Sequence, residues 1–114
     1  MNEIKRGEIY WVSWNPARGS EQSGHRPALV IQNDTGNRTS PTTIVAAVTT
    51  SSGKSYPFMV PVSLKESRLP KDSVINLSQI VTVDKGRLGA RCGVLGHEKM
   101  AEVDKAIKVS LGLE

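Results

Sequence analysis

Apolar and polar positions alternate along most of the chain, and the alternation divides it into short strands followed by one helix. Glu8-Ile9-Tyr10-Trp11-Val12-Ser13-Trp14 reads as a strand, which Asn15-Pro16 breaks. Gly19, Ser20, Ser23 and Gly24 make regular structure improbable before residue 25, so this stretch is a loop. Ala28–Gln32 opens with an apolar run rich in β-formers and reads as a core strand. Asn33–Pro41 is dense in turn residues and is expected to be an exposed loop. Thr43–Thr50 is the clearest strand, with high β-propensity and almost no charge. Ser51-Ser52-Gly53-Lys54 turns the chain. Phe58–Val62 is then a short strand, and Pro61 marks it as a sheet edge. Residues 63–72 form a polar, basic loop with Lys65, Arg68 and Lys71. Ser73–Leu77 and Gln79–Val83 are two strand-like runs, or one bent strand; Asp84–Arg87 is a turn, and Cys92–Leu95 a brief last strand.

From His97 the period changes. Met100, Val103, Ile107 and Leu111 recur at helical spacing with charged residues largely between them, which predicts an amphipathic helix closed by Gly112. Gly96 is its candidate N-cap, and glycine caps only moderately well. About six short strands and one helix predict a mostly β, α+β chain. Its sheet is small, antiparallel and strongly bent, closed or nearly closed into a barrel, in a single domain over residues 1–114.

Composition narrows the setting. The 114 residues are enough for one core, and no apolar run is long enough to span a membrane. The first residues lack the apolar core of a signal peptide. Cys92 is the only cysteine, so neither an internal disulfide nor a zinc cluster is available, and a reducing cytoplasm is the expected location. Net charge is +4. Residues 1–96 hold twelve Lys and Arg against seven Asp and Glu; residues 97–114 hold three against four. The basic excess thus belongs to the body, a sign compatible with nucleic acid but common in proteins that bind none.

Few residues in the chain offer chemistry. The chain has no Gly-rich phosphate cradle, no nucleophile elbow and no metal-ligand spacing; His25 and His97 lie far apart. Arg26 stands directly before Pro27, which pushes it into extended backbone where the loop meets the strand. A permanent cation there is placed to hold an anion. Alone it reads as an ordinary solvated arginine at a strand entry; the neighbours Glu21, Gln22 and His25 are what argue for a site. Period two puts Thr49 on the face opposite Ile44 and Val48; if that face lies toward the Arg26 loop, its hydroxyl and the Arg26 guanidinium converge on one phosphate. On spacing alone Thr49 remains a β-former at a strand end.

The block Gly19–Val30 resembles the signature loop and second strand of the MazF/PemK family, the ribonuclease toxins of bacterial toxin–antitoxin pairs. The resemblance continues through Arg6–Val12, Ile44–Thr49, Pro57-Phe58, Asp72–Val74, Gln79-Ile80 and Thr82–Lys85, and along the terminal helix to Leu113. It implies an SH3-like barrel with appended helices in a homodimer. The implied activity is sequence-specific, metal-independent cleavage of single-stranded RNA, with no cofactor. Arg26 matches the family's catalytic arginine, Thr49 its catalytic Thr/Ser, and Glu21 a residue important for activity in some members. Gln22 lies in the loop that closes over substrate, and Gln79 matches a position that reads or holds RNA. The expected RNA-binding set is Ser20, Gln22, His25, Thr50, Gln79, Lys85 and Arg87. Val81 is a departure, because many members carry Arg or Lys there, so one phosphate contact is expected to be missing.

The resemblance implies a particular chemistry. RNA carries its own nucleophile, the 2′-hydroxyl, so the protein must supply a base and donors for the charge developing on phosphorus. Arg26 and Thr49 would be the donors; Glu21, His25 or water would move the protons. The products would be a 2′,3′-cyclic phosphate and a 5′-hydroxyl. The partner is a cognate antitoxin, expected to contribute a disordered acidic segment. Two alternatives stand beside this reading. One is a gyrase-poisoning toxin of the CcdB type, which depends on an aromatic residue near the chain end, where this chain ends Leu111-Gly112-Leu113-Glu114. The other is an inactive module that only binds an antitoxin. The aromatic residues Tyr10, Trp11, Trp14, Tyr56 and Phe58 are available to stack on bases, but a barrel this small needs most of them inside.

Overall fold

The computed structural model describes residues 3–13 and 24–114. Trp14, Ser20, Glu21 and Gln22, all weighed above, lie outside those residues. The described elements are β1 (Glu8–Ser13), β2 (His25–Val30), α1 (Asp34–Thr39), β3 (Thr42–Thr50), β4 (Met59–Val62), α2 (Leu64–Ser67), β5 (Ser73–Asp84), a 3-10 turn (Lys85–Arg87), β6 (Leu88–Val94) and α3 (His97–Ser110).

The strands form one antiparallel sheet in the order β4-β5-β3-β2-β1-β6. The mostly β class is as expected, but the ladder stays open. β4 and β6 are edges, and α3 packs beside β4 while α2 packs beside β6. Pro61, which lacks an N–H, sits in edge strand β4, the position its chemistry allows.

Period two sorts the side chains into two cores, one on each face. Ile9, Leu29, Ala46, Val48 and Ile75 join Val60, Val62, Leu77, Val103 and Ala106 in the larger core, which α3 covers. Tyr10, Val12, Ala28, Val30, Val45 and Val83 form the smaller core. Burying one Val or Leu in such a core stabilises the fold by about 1.5–3 kcal/mol, and α3 contributes the buried Val103 and Ala106, with Met100 and Ile107 packed beside them.

β5 is one strand with a break in its pairing. Ala46 faces Ile80 but the next residue, Ala47, faces Asn76, so Leu77, Ser78 and Gln79 have no counterpart on β3. That bulge is the bend foreseen between the two runs.

Several expectations need correcting. Asn33–Pro41 contains α1: the Asn33 side chain caps it by accepting from Gly36 N at 2.7 Å. Asn37 then buries its amide, donating to the Gln32 carbonyl and Asp34 Oδ1 and accepting from the Gln32 amide and Thr43 hydroxyl. The 63–72 loop contains α2, held by a capping box between Ser63 and Glu66. β2 starts three residues early, at His25, and β6 four residues early, at Leu88. On α3, Leu111 is 59% exposed and lies past the helix end, while Ala106 takes its place in the buried stripe. Gly96 is the N-cap and gives no side-chain hydrogen bond.

Candidate functional site

The end of the sheet where β2 begins and β3 finishes carries a cleft of about 340 Å³, lined in part by Trp11, His25, Arg26, Thr49, Thr50 and Lys71. Local sequence explains the approach of its walls. Gly24, with φ +83°, turns the chain into β2 through a conformation that L side chains rarely adopt. His25, Arg26 and Pro27 then pair with Ser13, Val12 and Trp11 of β1. On the other side β2 pairs with β3 through Ala28 and Ala47. Carrying that register outward by two residues on each strand sets Arg26 opposite Thr49 on one face. The face is that of Ala28 and Val45 and opposite that of Ala46 and Val48, as the alternation in 43–50 requires.

The remaining wall arrives from far along the chain. Thr50 faces Ser73 across the β3–β5 ladder, and Ser51 N donates to the Asp72 carbonyl at 3.1 Å. The Asp72 carboxylate accepts from Leu64 N at 2.9 Å. These bonds clamp the 63–72 segment against the end of β3 and bring Leu69, Pro70, Lys71 and Ser73 to the cleft.

Arg26, Thr49 and Thr50 are exposed and His25 is at the surface beside them. Among the described residues neither the Arg26 guanidinium nor the Lys71 ammonium has a hydrogen-bond or ion-pair partner. Two cations with unspent donors and the Thr49 and Thr50 hydroxyls around one hollow are chemically able to hold a phosphate-like anion. Among the described residues, no three His, Cys, Asp or Glu side chains are grouped to hold a metal ion. No helix there is long and apolar enough to cross a membrane.

The structure thus brings together Arg26, Thr49, His25 and Thr50, and leaves three other candidates outside this lining. Gln79 is exposed in the β5 bulge. The Lys85 ammonium donates to the Asn37 carbonyl at the end of β3 remote from Thr49. The Arg87 guanidinium donates to the Ser13 carbonyl at 3.3 Å, on the residue that pairs with His25, and so lies near the rim. Glu21, Ser20 and Gln22 lie outside the described residues. Lys71, Ser73 and Trp11 line the cleft although none is in the expected catalytic or RNA-binding set; Trp11 is one of the aromatics expected to be available for stacking. Lys71 carried a signal, as a cation beside a β-run that must pair with the end of 43–50. Of the aromatics, Tyr10 is buried, Trp11 and Phe58 are half-buried, and Tyr56 is 47% exposed, stacked on Phe58 at 5.3 Å.

Comparison with known proteins agrees with the fold. The profile of the PemK-like, MazF-like toxins of type II toxin–antitoxin systems matches residues 5–111. The chain is 50% identical over 111 residues to the endoribonuclease MazF of Staphylococcus epidermidis, covering 96% of this chain and 92% of that protein. Among solved structures, MazF of Deinococcus radiodurans superposes with a TM-score of 0.78 at 26% identity, over 98% of this chain and 99% of that one. An endoribonuclease from Mycobacterial species, solved with its cognate antitoxin, superposes with a TM-score of 0.81 at 23% identity, over 97% of both chains.

Proposed function

The chain belongs to the PemK-like, MazF-like toxins of type II toxin–antitoxin systems, and from that premise we propose that the cleft at Arg26 and Thr49 is where it cuts RNA. It is an endoribonuclease toxin that an antitoxin neutralises. The observation that carries the site is the convergence of Arg26 and Thr49, on opposed strand ends, in one hollow with unpaired cationic donors.

In the proposed reaction the 2′-hydroxyl of single-stranded RNA attacks the adjacent phosphorus. The 2′-oxygen–phosphorus bond forms, the bond to the 5′-oxygen breaks, and the products are a 2′,3′-cyclic phosphate and a 5′-hydroxyl. One proton leaves the 2′-hydroxyl and one reaches the departing 5′-oxygen. His25 is within the cleft lining and Glu21 is its rival for that proton work, with water the third candidate. Arg26 holds the nonbridging oxygens and Thr49 donates to the same phosphate, so their contribution grows as charge develops there. Lys71 adds positive potential from the opposite wall.

The antitoxin is proposed to lay an acidic segment, disordered when free, over this same surface and so to compete with RNA. Simultaneous tight binding of both to one toxin would refute that. The toxin is proposed to act as a homodimer in the cytoplasm. The exposed Val109, Leu111 and Leu113 offer apolar surface in support of self-association.

The test is cleavage of a long unstructured RNA in EDTA, with primer extension and end-group analysis. Discrete cuts leaving 5′-hydroxyl ends are expected, and Arg26→Ala is expected to lose about 10²–10³ in rate, as when one preorganised donor is removed. Near-full cleavage by Arg26→Ala would show that the site is elsewhere.

A further inference from the structure

A second hollow of about 700 Å³ adjoins the first, and Trp11 lines both. Its other lining residues are Lys65, Glu66, Arg68, Arg91, Cys92, Gly93 and Val94, from α2 and edge strand β6. One segment therefore walls both hollows. Lys65 and Arg68 face the second, and Leu69, Pro70 and Lys71 face the first. The turning point is Arg68, the C-cap of α2, whose φ of +62° is left-handed. That conformation is uncommon for a residue with a side chain. It reverses the chain at the ridge between the hollows.

The charges of the second hollow are arranged for an anion. Lys65 and Arg68 are exposed, and among the described residues neither side chain has a hydrogen-bond or ion-pair partner. Arg91 gives one nitrogen to Glu8 and keeps a side chain 56% exposed. The one carboxylate in the lining is engaged elsewhere: Glu66 accepts from Ser63 N at 2.9 Å and lies 3.8 Å from the Lys99 ammonium. Three cations thus face a hollow whose only acid is turned to its own helix cap. The Trp11 indole lines both hollows and offers a surface on which a nucleobase can stack.

We propose that this second hollow holds the phosphodiester backbone of the same RNA strand, beyond the nucleotides at the cut, with Lys65 and Arg68 as its phosphate contacts. The inference rests on the reading of the Arg26 cleft as the cleavage site. A strand held there is a polymer and must continue somewhere, and the adjoining unpaired cations are the complementary surface.

The experiment uses Lys65→Gln with Arg68→Gln, on a short RNA confined to the nucleotides around the cut and on the same RNA extended to both sides. On the extended RNA, KM is expected to rise on the order of tenfold at moderate salt with kcat unchanged. The salt dependence of log kcat/KM should flatten by about 0.7 per lost phosphate contact. Short-RNA cleavage and thermal stability are expected to stay at wild-type levels. Unchanged KM and salt slope on the extended RNA would overturn the proposal. So would loss of short-RNA cleavage, or a variant that cuts normally and only escapes the antitoxin, which would make the hollow a peptide site. Arg26→Ala run in parallel separates the two readings. If it is inactive while the double variant behaves as wild type, the cleft stands and only the second hollow falls.

Discussion

Arg91 Nη1 donates to Glu8 Oε2 at 2.8 Å, tying edge strand β6 to β1 through a carboxylate that is only 4% exposed. The other oxygen of Glu8 accepts from the Tyr10 hydroxyl at 2.9 Å and from Lys5 N at 2.7 Å. One acid therefore satisfies three donors, one of them a buried phenol. Glu8→Ala leaves that phenol without its partner and is expected to cost about 1–3 kcal/mol. Arg91→Ala leaves the carboxylate two of its three donors and is expected to cost less. Urea unfolding of both variants checks the order.

The same cluster sets a limit at high pH. Burial first, then the Glu8 hydrogen bond and charge, push the Tyr10 hydroxyl up to about 12. An unfolded tyrosine ionises near its ordinary value of about 10. Tyr10 is thus neutral in the fold where it is already ionised in the unfolded chain. Its contribution to stability is complete below about pH 10 and is lost as pH rises toward 12. Thermal melts across that window should show the decline, and Tyr10→Phe should flatten it.

At low pH the sign reverses. The Arg6 N–H and the Asn37 side chain hold Asp34 below its usual range, and the Ser63 N–H does the same for Glu66. Both carboxylates support the fold above their unfolded values, and the support goes as pH falls through their lowered ones. Asp34→Asn is expected to remove part of the acid-induced loss of α1, seen as flatter stability below the ordinary carboxylate range.

Gly93 is a point of contact between backbones. A Cβ there would lie 2.5 Å from the Glu66 carbonyl oxygen and 2.6 Å from that of Ser67. Neither atom is a flexible side-chain end, so α2 must shift off β6. Gly93→Ala is expected to destabilise by about 1–3 kcal/mol. Because α2 carries the segment that walls both hollows, RNA affinity should fall with it, which a binding titration at constant salt would detect.

Thr49 separates two roles for a hydroxyl. Thr49→Val keeps the β-branched shape and removes the donor; Thr49→Ser keeps the donor. Single-turnover cleavage is expected to fall about 10²–10³-fold in the first and to stay near wild type in the second. Equal losses would mean that Thr49 matters for its shape.

Much of this arrangement was legible in residue order. Strands β1 to β4 and the bent β5 follow from alternation, and α3 from its period. Pattern placed Arg26 before Pro27 and Thr49 on its face, but the family resemblance is what marked the two as a site. What escaped depends on distant partners or on local chemistry passed over. The capping box of α2 stood in the sequence as Ser63 and Glu66, three residues apart. α1 gave no apolar signal, because it is held by a buried amide, Asn37, bonded to Gln32 and Thr43 on either side of it. The Lys71 wall depends on the β3–β5 pairing, and no local pattern reports which cation a ladder will carry to a cleft.

The three unmatched residues of β5 number an odd count, and this has a topological result. Before the bulge, odd-numbered Ile75 and Leu77 enter the larger core; after it, even-numbered Ile80 packs there and odd-numbered Val83 enters the other. The strand changes phase midway, so a single ribbon seals both interiors. The face shown on either side is set by the β3 partners, Ala47 for Asn76 and Ala46 for Ile80, so a change of length between Leu77 and Ile80 that keeps both pairings turns neither half over. The bulge is thus the place on β5 where length is free to vary without disturbing either interior, and Gln79 stands within it.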